Sequence, residues 1–319
     1  MKGNECMKLS LVVPCYNEEG NVELLFNEVN RVFAPHRFDY EFVFVNDGSS
    51  DGTAERLRAL YRENSARYAI QVLTFSRNFG KEAAIYAGLQ NAVGDNVCLI
   101  DADLQQRPED VLRMLEILDA EPEYDCVAAV QQTRHEGKEM SAVKSAFYKL
   151  INKVSEVDFV NGASDFRVMR RVMVDAVLQM TEYHRFSKGI LSWVGFNTKY
   201  IPYEAAERAS GESKWGFRKL VKYALEGIVA FSTFPLRLSS YVGFFSCLAS
   251  FIYLIVVIVQ KLAFGIDVPG YATIVVLLLL FGGLQLLCLG LLGEYISKIY
   301  IQTKHRPIYL LKEHLGKKK

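Results

Sequence analysis

The feature that most limits how this chain can fold is a pair of long uncharged stretches in its C-terminal third. Residues 238–260 contain no charged side chain, and neither do residues 268–293. Each stretch exceeds the roughly 20 residues that a helix needs to cross the apolar core of a bilayer. Residues 274–281 would be apolar on every face of a helix, which favours contact with lipid over a place in a soluble core. We therefore predict a transmembrane hairpin over residues 238–293, with helices at 238–260 and 271–293.

Charge divides the chain just before these stretches. Residues 1–206 carry 23 basic and 30 acidic side chains, whereas residues 207–319 carry 14 and 6, although the net charge of the 319 residues is only +1. An acidic front joined to a basic, apolar back indicates a membrane surface as partner and argues against nucleic acid. Basic residues flank the hairpin on both sides, so the positive-inside rule predicts that both termini are cytoplasmic. We expect a cytoplasmic domain at 1–206, a basic loop and interfacial amphipathic helix at 207–237, and a basic cytoplasmic tail at 294–319.

The front of the chain alternates short apolar runs with amphipathic stretches. Strands are predicted at 9–13, 40–45, 70–75 and 97–100, and helices from about residues 18, 53, 81 and 108. Four strand-helix repeats joined by short turns favour a mainly parallel, doubly wound α/β sheet. In such a sheet ligands gather at the carboxyl ends of the strands, which is where the polar residues of this chain concentrate.

The fourth apolar run ends in two carboxylates separated by one small residue. Residues i and i+2 of an extended chain point the same way, so Asp101 and Asp103 can converge on one divalent cation while Ala102 turns away. An isolated pair of this kind is also common in a solvated turn or a helix cap, and these residues alone leave both readings open. The chain contains neither G-x-x-x-x-G-K-[ST] nor G-x-G-x-x-G, which argues against a P-loop nucleotidase and a dinucleotide enzyme.

Several motifs along the chain carry a family resemblance. They lie at residues 13–19, 46–53, 77–82, 101–105, 165–169, 189–193 and 208–215, and the C-terminal hairpin accompanies them. Together they resemble the polyprenyl-phosphate branch of glycosyltransferase family 2, which includes dolichol-phosphate mannose synthase, and they look most like the bacterial bactoprenol-phosphate glucosyltransferases. The resemblance covers nearly the whole chain. It implies a GT-A fold with a Rossmann-like sheet, and a bacterial inner membrane as the location.

The resemblance assigns nucleotide-sugar binding to residues at the strand ends and in a basic loop. These residues are Pro14, Tyr16, Glu18, Val45, Asp47, Asp101, Ala102, Asp103, Gln105, Arg208 and Lys214. Asp101, Asp103 and Gln105 match the metal positions of the family, and their oxygen donors suit Mg²⁺ or Mn²⁺. The catalytic positions are matched by Asp165, Arg208 and Lys214. Without the family, Asp47 would be an ordinary turn aspartate, and the basic loop would be a solvated segment beside an anionic membrane.

The implied reaction is inverting transfer of a hexose, in the first instance glucose from UDP-glucose, onto polyprenyl (undecaprenyl) phosphate at the cytoplasmic face. Its product would be a sugar donor for cell-envelope glycans. In most inverting transferases a carboxylate deprotonates the acceptor, and Asp165 occupies that position here. A phosphate monoester has a second pKa of about 6, so it already carries its nucleophilic charge at neutral pH. Our hypothesis is therefore that Asp165 mainly orients the acceptor or a basic side chain, with Arg208 and Lys214 holding the lipid phosphate.

Alternatives remain at this stage. The same fold could use a donor of the GDP-mannose, UDP-GlcNAc or UDP-amino-arabinose type, and a membrane-anchored nucleotide-sugar sensor without catalysis is the rival of a different class. A processive polysaccharide synthase is disfavoured because the chain has no Q-x-x-R-W motif. Residues 215–236 could form a core helix of the front domain instead of an interfacial one. The sequence leaves open a homo-oligomer, and whether substrate contacts Arg77, Lys81, Arg107 or Lys188.

Overall fold

The computed structural model describes residues 8–36, 38–131, 152, 157, 160, 162–204, 232–264 and 270–316. These residues fall into two compact units. The first contains a sheet with its covering helices, and the second contains two long helices within residues 232–306. The predictions made for Arg208, Lys214 and most of the interfacial helix lie outside the described residues.

The first unit is built on one mixed sheet of eight strands. The strands are β1 (Lys8–Cys15), β2 (Asp39–Asn46), β3 (Ala69–Phe75), β4 (Asn96–Leu99), β5 (Cys126–Gln131), β6 (Ala163–Arg170), β7 (Thr198–Tyr203) and β8 (Leu311–Leu315), in the spatial order β7-β5-β6-β4-β1-β2-β3-β8. The four central strands β4, β1, β2 and β3 run parallel. On either side of them, β6 and β8 run antiparallel to their neighbours. The predicted α/β sheet of GT-A type is confirmed, with a parallel centre and antiparallel additions.

Six helices of the described chain accompany the sheet. They are α1 (Val22–Phe33), α2 (Thr53–Asn64), α3 (Lys81–Asn91), α4 (Pro108–Ala120), α5 (Arg171–Gln179) and α6 (Ser187–Trp193). The predicted starts of α2, α3 and α4 are confirmed, and Pro108 occupies the first turn, where its missing N–H costs nothing. The first helix begins at Val22 rather than near residue 18, after a turn at residues 19–21 in which the Asn21 backbone N–H donates to the Glu18 carbonyl oxygen at 2.9 Å.

Helix α3 packs closely on the central strands of the sheet. β1 and β2 are buried along most of their length, as expected for strands covered on both faces. Gly88 of α3 faces Val12 of β1 so closely that a Cβ at Gly88 would lie 2.2 Å from Val12 Cγ1. The absence of a side chain at Gly88 therefore brings the α3 backbone onto the sheet, and Lys81 begins this helix.

The C-terminal residues correct one prediction. Residues 294–319 were expected to be a basic tail, but β8 within them pairs with β3 at the edge of the sheet. The Tyr309 ring stacks on Phe75 with 4.9 Å between centroids, and Arg58 Nε donates to Glu313 Oε2 at 2.8 Å. The charged residues Lys312 and Glu313 suit an exposed edge strand, and this charge made the segment resemble a tail in the sequence.

The second unit consists of two long apolar helices, α7 (Phe234–Phe264) and α8 (Tyr271–Thr303). Each contains a stretch that is long and apolar enough to cross a membrane, with mean hydropathy 2.6 at Phe234–Gln260 and 2.4 at Val276–Thr303. Neither stretch is buried, unlike the core helix of a soluble protein. The predicted pair of helices is confirmed, and α8 continues past Glu294 to Thr303 instead of ending near residue 293.

Candidate active site

The loops after the central strands carry most of the residues that the sequence singled out. Pro14 and Val45 are direct neighbours in the β1–β2 register. Asn17 Oδ1 accepts from the Ser50 backbone N–H at 2.9 Å, which ties the loop after β1 to the loop after β2. The positive φ of Asn17, 57°, is a strained conformation of the kind that clusters at functional sites.

Tyr16 and Glu18 occupy the same loop in different ways. The Tyr16 side chain is exposed and its ring is accessible to a flat partner such as a nucleobase. Glu18 Oε2 accepts from Asn21 Nδ2 at 2.6 Å, and the Glu18 backbone N–H donates to Thr53 Oγ1 at 2.8 Å. Glu18 therefore also serves to shape the loop that precedes α1.

Asp47 is a buried carboxylate held by backbone amides. Its residue is 2% exposed, and its two oxygens accept from the backbone N–H of Phe79 at 2.6 Å and of Gly80 at 2.9 Å. Burial raises the pKa of Asp47, and the two amide bonds oppose that rise. The next residue, Gly48, has a φ of 61°, and a Cβ there would lie 2.3 Å from the carbonyl carbon of Arg77. Asp47 thus joins the loops after β2 and β3, and its contact with a nucleotide stays a prediction.

Asp101 and Asp103 lie in the loop after β4, and Ala102 between them is buried. Gln106 brackets Asp101: its Oε1 accepts from the Asp101 backbone N–H at 2.8 Å, and its Nε2 donates to Asp101 Oδ2 at 3.1 Å. Asp103 Oδ1 accepts from the Gln105 backbone N–H at 3.2 Å. Gln106 is not among the predicted site residues, but it is buried and fixes the orientation of the Asp101 carboxylate.

Lys81 joins the two carboxylates that the sequence placed in different roles. Its Nζ lies 2.7 Å from Asp101 Oδ1 and 3.2 Å from Asp165 Oδ2. The contact is possible because β6, which carries Asp165, pairs with β4, with Arg167 opposite Leu99. Desolvation opposes the charge on Lys81, but the two carboxylates outweigh it and raise the pKa of Lys81 above its usual range. Lys81, 46% exposed, thus bridges the loop after β4 and Asp165 of β6.

Asp165 is surrounded by positive charge. Burial works against its ionisation, but Lys81, Lys188 and Arg167 more than compensate and lower the pKa of Asp165. Arg167 donates to backbone carbonyls, with its Nη2 2.7 Å from the oxygen of Ser164. A carboxylate whose pKa is lowered in this way is a weak base and a firm anchor for cations.

A second contact between elements sits next to these charges. Glu82, the residue after Lys81, accepts from the backbone N–H of Ser187 at 2.9 Å and from the Ser187 hydroxyl. Burial, reinforced by the negative charge of Asp165, raises the pKa of Glu82 to about 7. The contact ties the start of α3, which carries Lys81, to the start of α6, which carries Lys188, and both lysines lower the pKa of Asp165.

The side-chain oxygens in the loop after β4 suit a hard divalent cation that is shared between the protein and the phosphates of a substrate. Within the described residues, no three acidic, histidine or cysteine side chains converge on one point. Mg²⁺ is commonly held by one or two carboxylates together with substrate phosphates, rather than by a complete cage of protein ligands. Asp101 and Asp103 are partly exposed in one loop and offer that arrangement, and the side chain of Gln105 lies in the same loop.

Two family models match the chain, one in each unit. The model of Glycosyl transferase family 2 matches residues 10–178, and the model of the GtrB C-terminal hairpin matches residues 234–299. Bactoprenol glucosyl transferase of Shigella phage SfV is 42% identical over 312 residues, which is 98% of this chain and 100% of that protein. The prophage bactoprenol glucosyl transferase homolog of Escherichia coli (strain K12) is 41% identical over 307 residues, which is 96% of this chain and 99% of that protein.

A solved structure resembles the chain in its fold. Mannosyl-3-phosphoglycerate synthase from Rubrobacter xylanophilus aligns with a TM-score of 0.48 and 18% identity, over 69% of this chain and 71% of its own.

Proposed function

This chain belongs to glycosyl transferase family 2, and from that premise we propose that it transfers glucose from UDP-glucose to a polyprenyl phosphate. Two relatives that match nearly its whole length, hairpin included, are named as bactoprenol glucosyl transferases. The donor, the acceptor lipid and the cytoplasmic face are parts of this proposal. The transmembrane hairpin would hold the enzyme where a polyprenyl phosphate resides, with the sheet domain and both termini in the cytoplasm.

The observation that carries the proposal is the bridge made by Lys81 between Asp101 and Asp165. A group transfer needs the leaving group and the acceptor to be held side by side. Asp101 and Asp103 form the corner that suits a diphosphate with its cation, and Asp165 lies on the other side of the Lys81 ammonium. The arrangement therefore provides two adjoining places, one for each reactant.

The proposed reaction balances without an external proton donor or acceptor. A phosphate oxygen of the lipid attacks the anomeric carbon of the sugar, and the bond from that carbon to the β-phosphate oxygen breaks with its electron pair on the nucleoside diphosphate. The phosphate dianion becomes a phosphodiester monoanion, and UDP leaves with one more negative charge than it had in the donor. Attack opposite to the leaving group inverts the configuration.

Asp165 serves in this proposal as an orienting group. The acceptor is largely ionised at neutral pH, so a strong base at this position would gain little. The lowered pKa of Asp165 supports the same role, since it keeps the carboxylate charged and paired with Lys81. An Asp165→Asn variant should accordingly keep the shape of the wild-type pH-rate profile. A loss of many orders of magnitude at pH 6 that recovers steeply at high pH would contradict the orienting role.

Asp101 and Asp103, with Gln105, would hold Mg²⁺ or Mn²⁺. Such a cation would supply Lewis-acid stabilisation of the charge that builds on the departing diphosphate. Gln106 donates a hydrogen bond to the Asp101 carboxylate and so holds its orientation in the loop. Tyr16, Pro14 and Val45 would line the nucleobase.

The decisive experiment uses the full chain in nanodiscs with undecaprenyl phosphate and a panel of UDP- and GDP-sugars, and it identifies the lipid product by mass spectrometry. We expect undecaprenyl phosphate glucose from UDP-glucose, and no product in the presence of EDTA. Asp39→Asn, at the exposed start of β2, is the matched control for substitutions of site carboxylates. Another sugar on the lipid would correct the donor, and no product with any sugar would favour the sensor alternative.

A further inference from the structure

Lys188 is a half-buried cation that the proposed reaction has so far not used. It is the second residue of α6, and its neighbour Ser187 is fixed to Glu82 of α3 through the 2.9 Å backbone contact. Within the described part of the chain, no carboxylate oxygen lies within ion-pair distance of the Lys188 ammonium. An ammonium without an ion pair in such surroundings is costly to maintain.

Several charged groups of the site act on Lys188. Burial lowers the pKa of Lys188 and the charge of Asp165 opposes that effect, with Arg167, Lys81 and Glu82 as the further charges acting on it. Lys81, by contrast, contacts both Asp101 and Asp165. Asp165 is therefore the carboxylate that acts most strongly on Lys188, and the contact of Ser187 with Glu82 holds the start of α6 next to the start of α3, where Lys81 lies.

Lys188 shares the carboxylate of Asp165 with two other cations. Three cations, Lys81, Lys188 and Arg167, act on the single carboxylate of Asp165. Lys81 is shared with Asp101, and the guanidinium of Arg167 donates to uncharged backbone carbonyls. An anionic group of a ligand beside Asp165 would give Lys188 an ion-pair partner, which no carboxylate of the described residues provides.

We propose that Lys188, beside Lys81 and Asp165, forms the subsite that binds the phosphate monoester of the lipid acceptor. This inference rests on the proposed function, because it assigns a place to the acceptor of that reaction. The donor diphosphate has its own corner at Asp101 and Asp103, so a second phosphate-binding place on the Asp165 side suits the nucleophile. The Glu82 contact with Ser187 holds Lys188 in position relative to Lys81.

Kinetics on the full-length enzyme test this assignment with three variants. Lys188→Met removes the charge and keeps most of the side-chain volume, Lys188→Arg keeps the charge, and Lys312→Met removes an exposed lysine of β8 as the matched control. We expect Lys188→Met to raise the KM for undecaprenyl phosphate roughly 10- to 100-fold, the value of a hydrogen bond to a charged group. The KM for UDP-glucose should stay within about twofold. Lys188→Arg should recover much of the loss, and Lys312→Met should behave as wild type.

Binding without turnover gives an independent measurement. Calorimetric titration with farnesyl phosphate and with farnesol, in the presence of UDP, isolates the contribution of the phosphate. Wild type should prefer farnesyl phosphate, and Lys188→Met should lose most of that preference while keeping its affinity for UDP.

Each contrary outcome has a distinct meaning. A rise in the KM for UDP-glucose alone would assign Lys188 to the donor diphosphate and overturn the inference, and so would unchanged constants for both substrates. Should Lys188→Met fail to fold, Lys188→Gln provides the same removal of charge. If wild type transfers no sugar to undecaprenyl phosphate, the proposed function fails, whereas loss of the farnesyl phosphate preference in Lys188→Met would still support the subsite.

Discussion

Two carboxylate sites at the same edge of the sheet are held in opposite ways. Asp47 is 2% exposed and bound by two backbone amides of the neighbouring loop. Asp101 and Asp165 have side chains that are 31% and 23% exposed, and they share the ammonium of Lys81. A backbone amide is fixed by the fold, whereas a lysine ammonium sits on a flexible stem and can change partners. The amide bonds to Asp47 therefore shape the site, whereas Asp101 and Asp165 can exchange the Lys81 ammonium for a ligand.

The largest effect is expected when the negative charge of Asp101 is removed. Asp101→Asn should lower the transfer rate roughly 100-fold or more, because a charge-stabilising group at the leaving-group corner is removed. Its melting temperature should change little, since exposed ion pairs contribute only about 0–1 kcal/mol. Activity and differential scanning fluorimetry on the same preparation, with Asp39→Asn as control, measure both. A much lower melting temperature of the variant would show that Asp101, like Asp47, is a carboxylate needed for stability.

The converse is expected at Asp47. An asparagine at position 47 has only one side-chain oxygen for the two backbone N–H donors. Its NH₂ group would face the second N–H, so a buried donor would be left without a hydrogen bond. That defect costs about 1–3 kcal/mol, so the melting temperature should fall by several degrees. Any change in turnover should appear in the KM for the nucleotide sugar, because the loops after β2 and β3 lose their link. Wild-type stability in Asp47→Asn would show that the two amide bonds are dispensable.

A smaller effect should appear in the pH dependence of stability through Glu82. The pKa of this carboxyl is about 7 in the folded protein, against 4.5 for an ordinary glutamate. Between those values the folded chain holds a proton that the unfolded chain has lost, so stability falls as the pH rises from about 5 to 8. Glu82→Gln stays neutral and its oxygen still accepts from Ser187. Its melting temperature should equal that of wild type near pH 5 and exceed it by a few degrees near pH 8. Parallel melting curves at all pH values would contradict a raised pKa at Glu82.

The sequence predicted the elements that depend on local pattern. Asp101 and Asp103 lie in one loop after β4 with the buried Ala102 between them, and their convergence on one cation stays a prediction. The starts of α2, α3 and α4 follow from turn and helix signals that lie within a few residues. The hairpin helices follow from length and hydropathy alone, and they needed no knowledge of their neighbours.

Other features depend on contacts between distant segments and could not be read from local pattern. β8 joins the sheet beside β3, more than 230 residues away in sequence, and its charges made it resemble a tail. Asp47 was expected to face a nucleotide, but its hydrogen bonds are set by the approach of the loop at Phe79 and Gly80. Lys81 was left open, and only the pairing of β6 with β4 brings Asp165 to it.

The sequence by itself thus determined the classes of element, the family and the residue types at the sheet edge, because periodicity, hydropathy and motifs are properties of neighbouring residues. The tertiary structure decided which charges meet. Lys81, Asp101 and Asp165 come from a helix, a loop and an antiparallel strand, and Lys188 comes from a fourth element tied to the first by Glu82. The balance of charge at the site is therefore a property of packing, since electrostatic interactions depend on distance in space rather than along the chain.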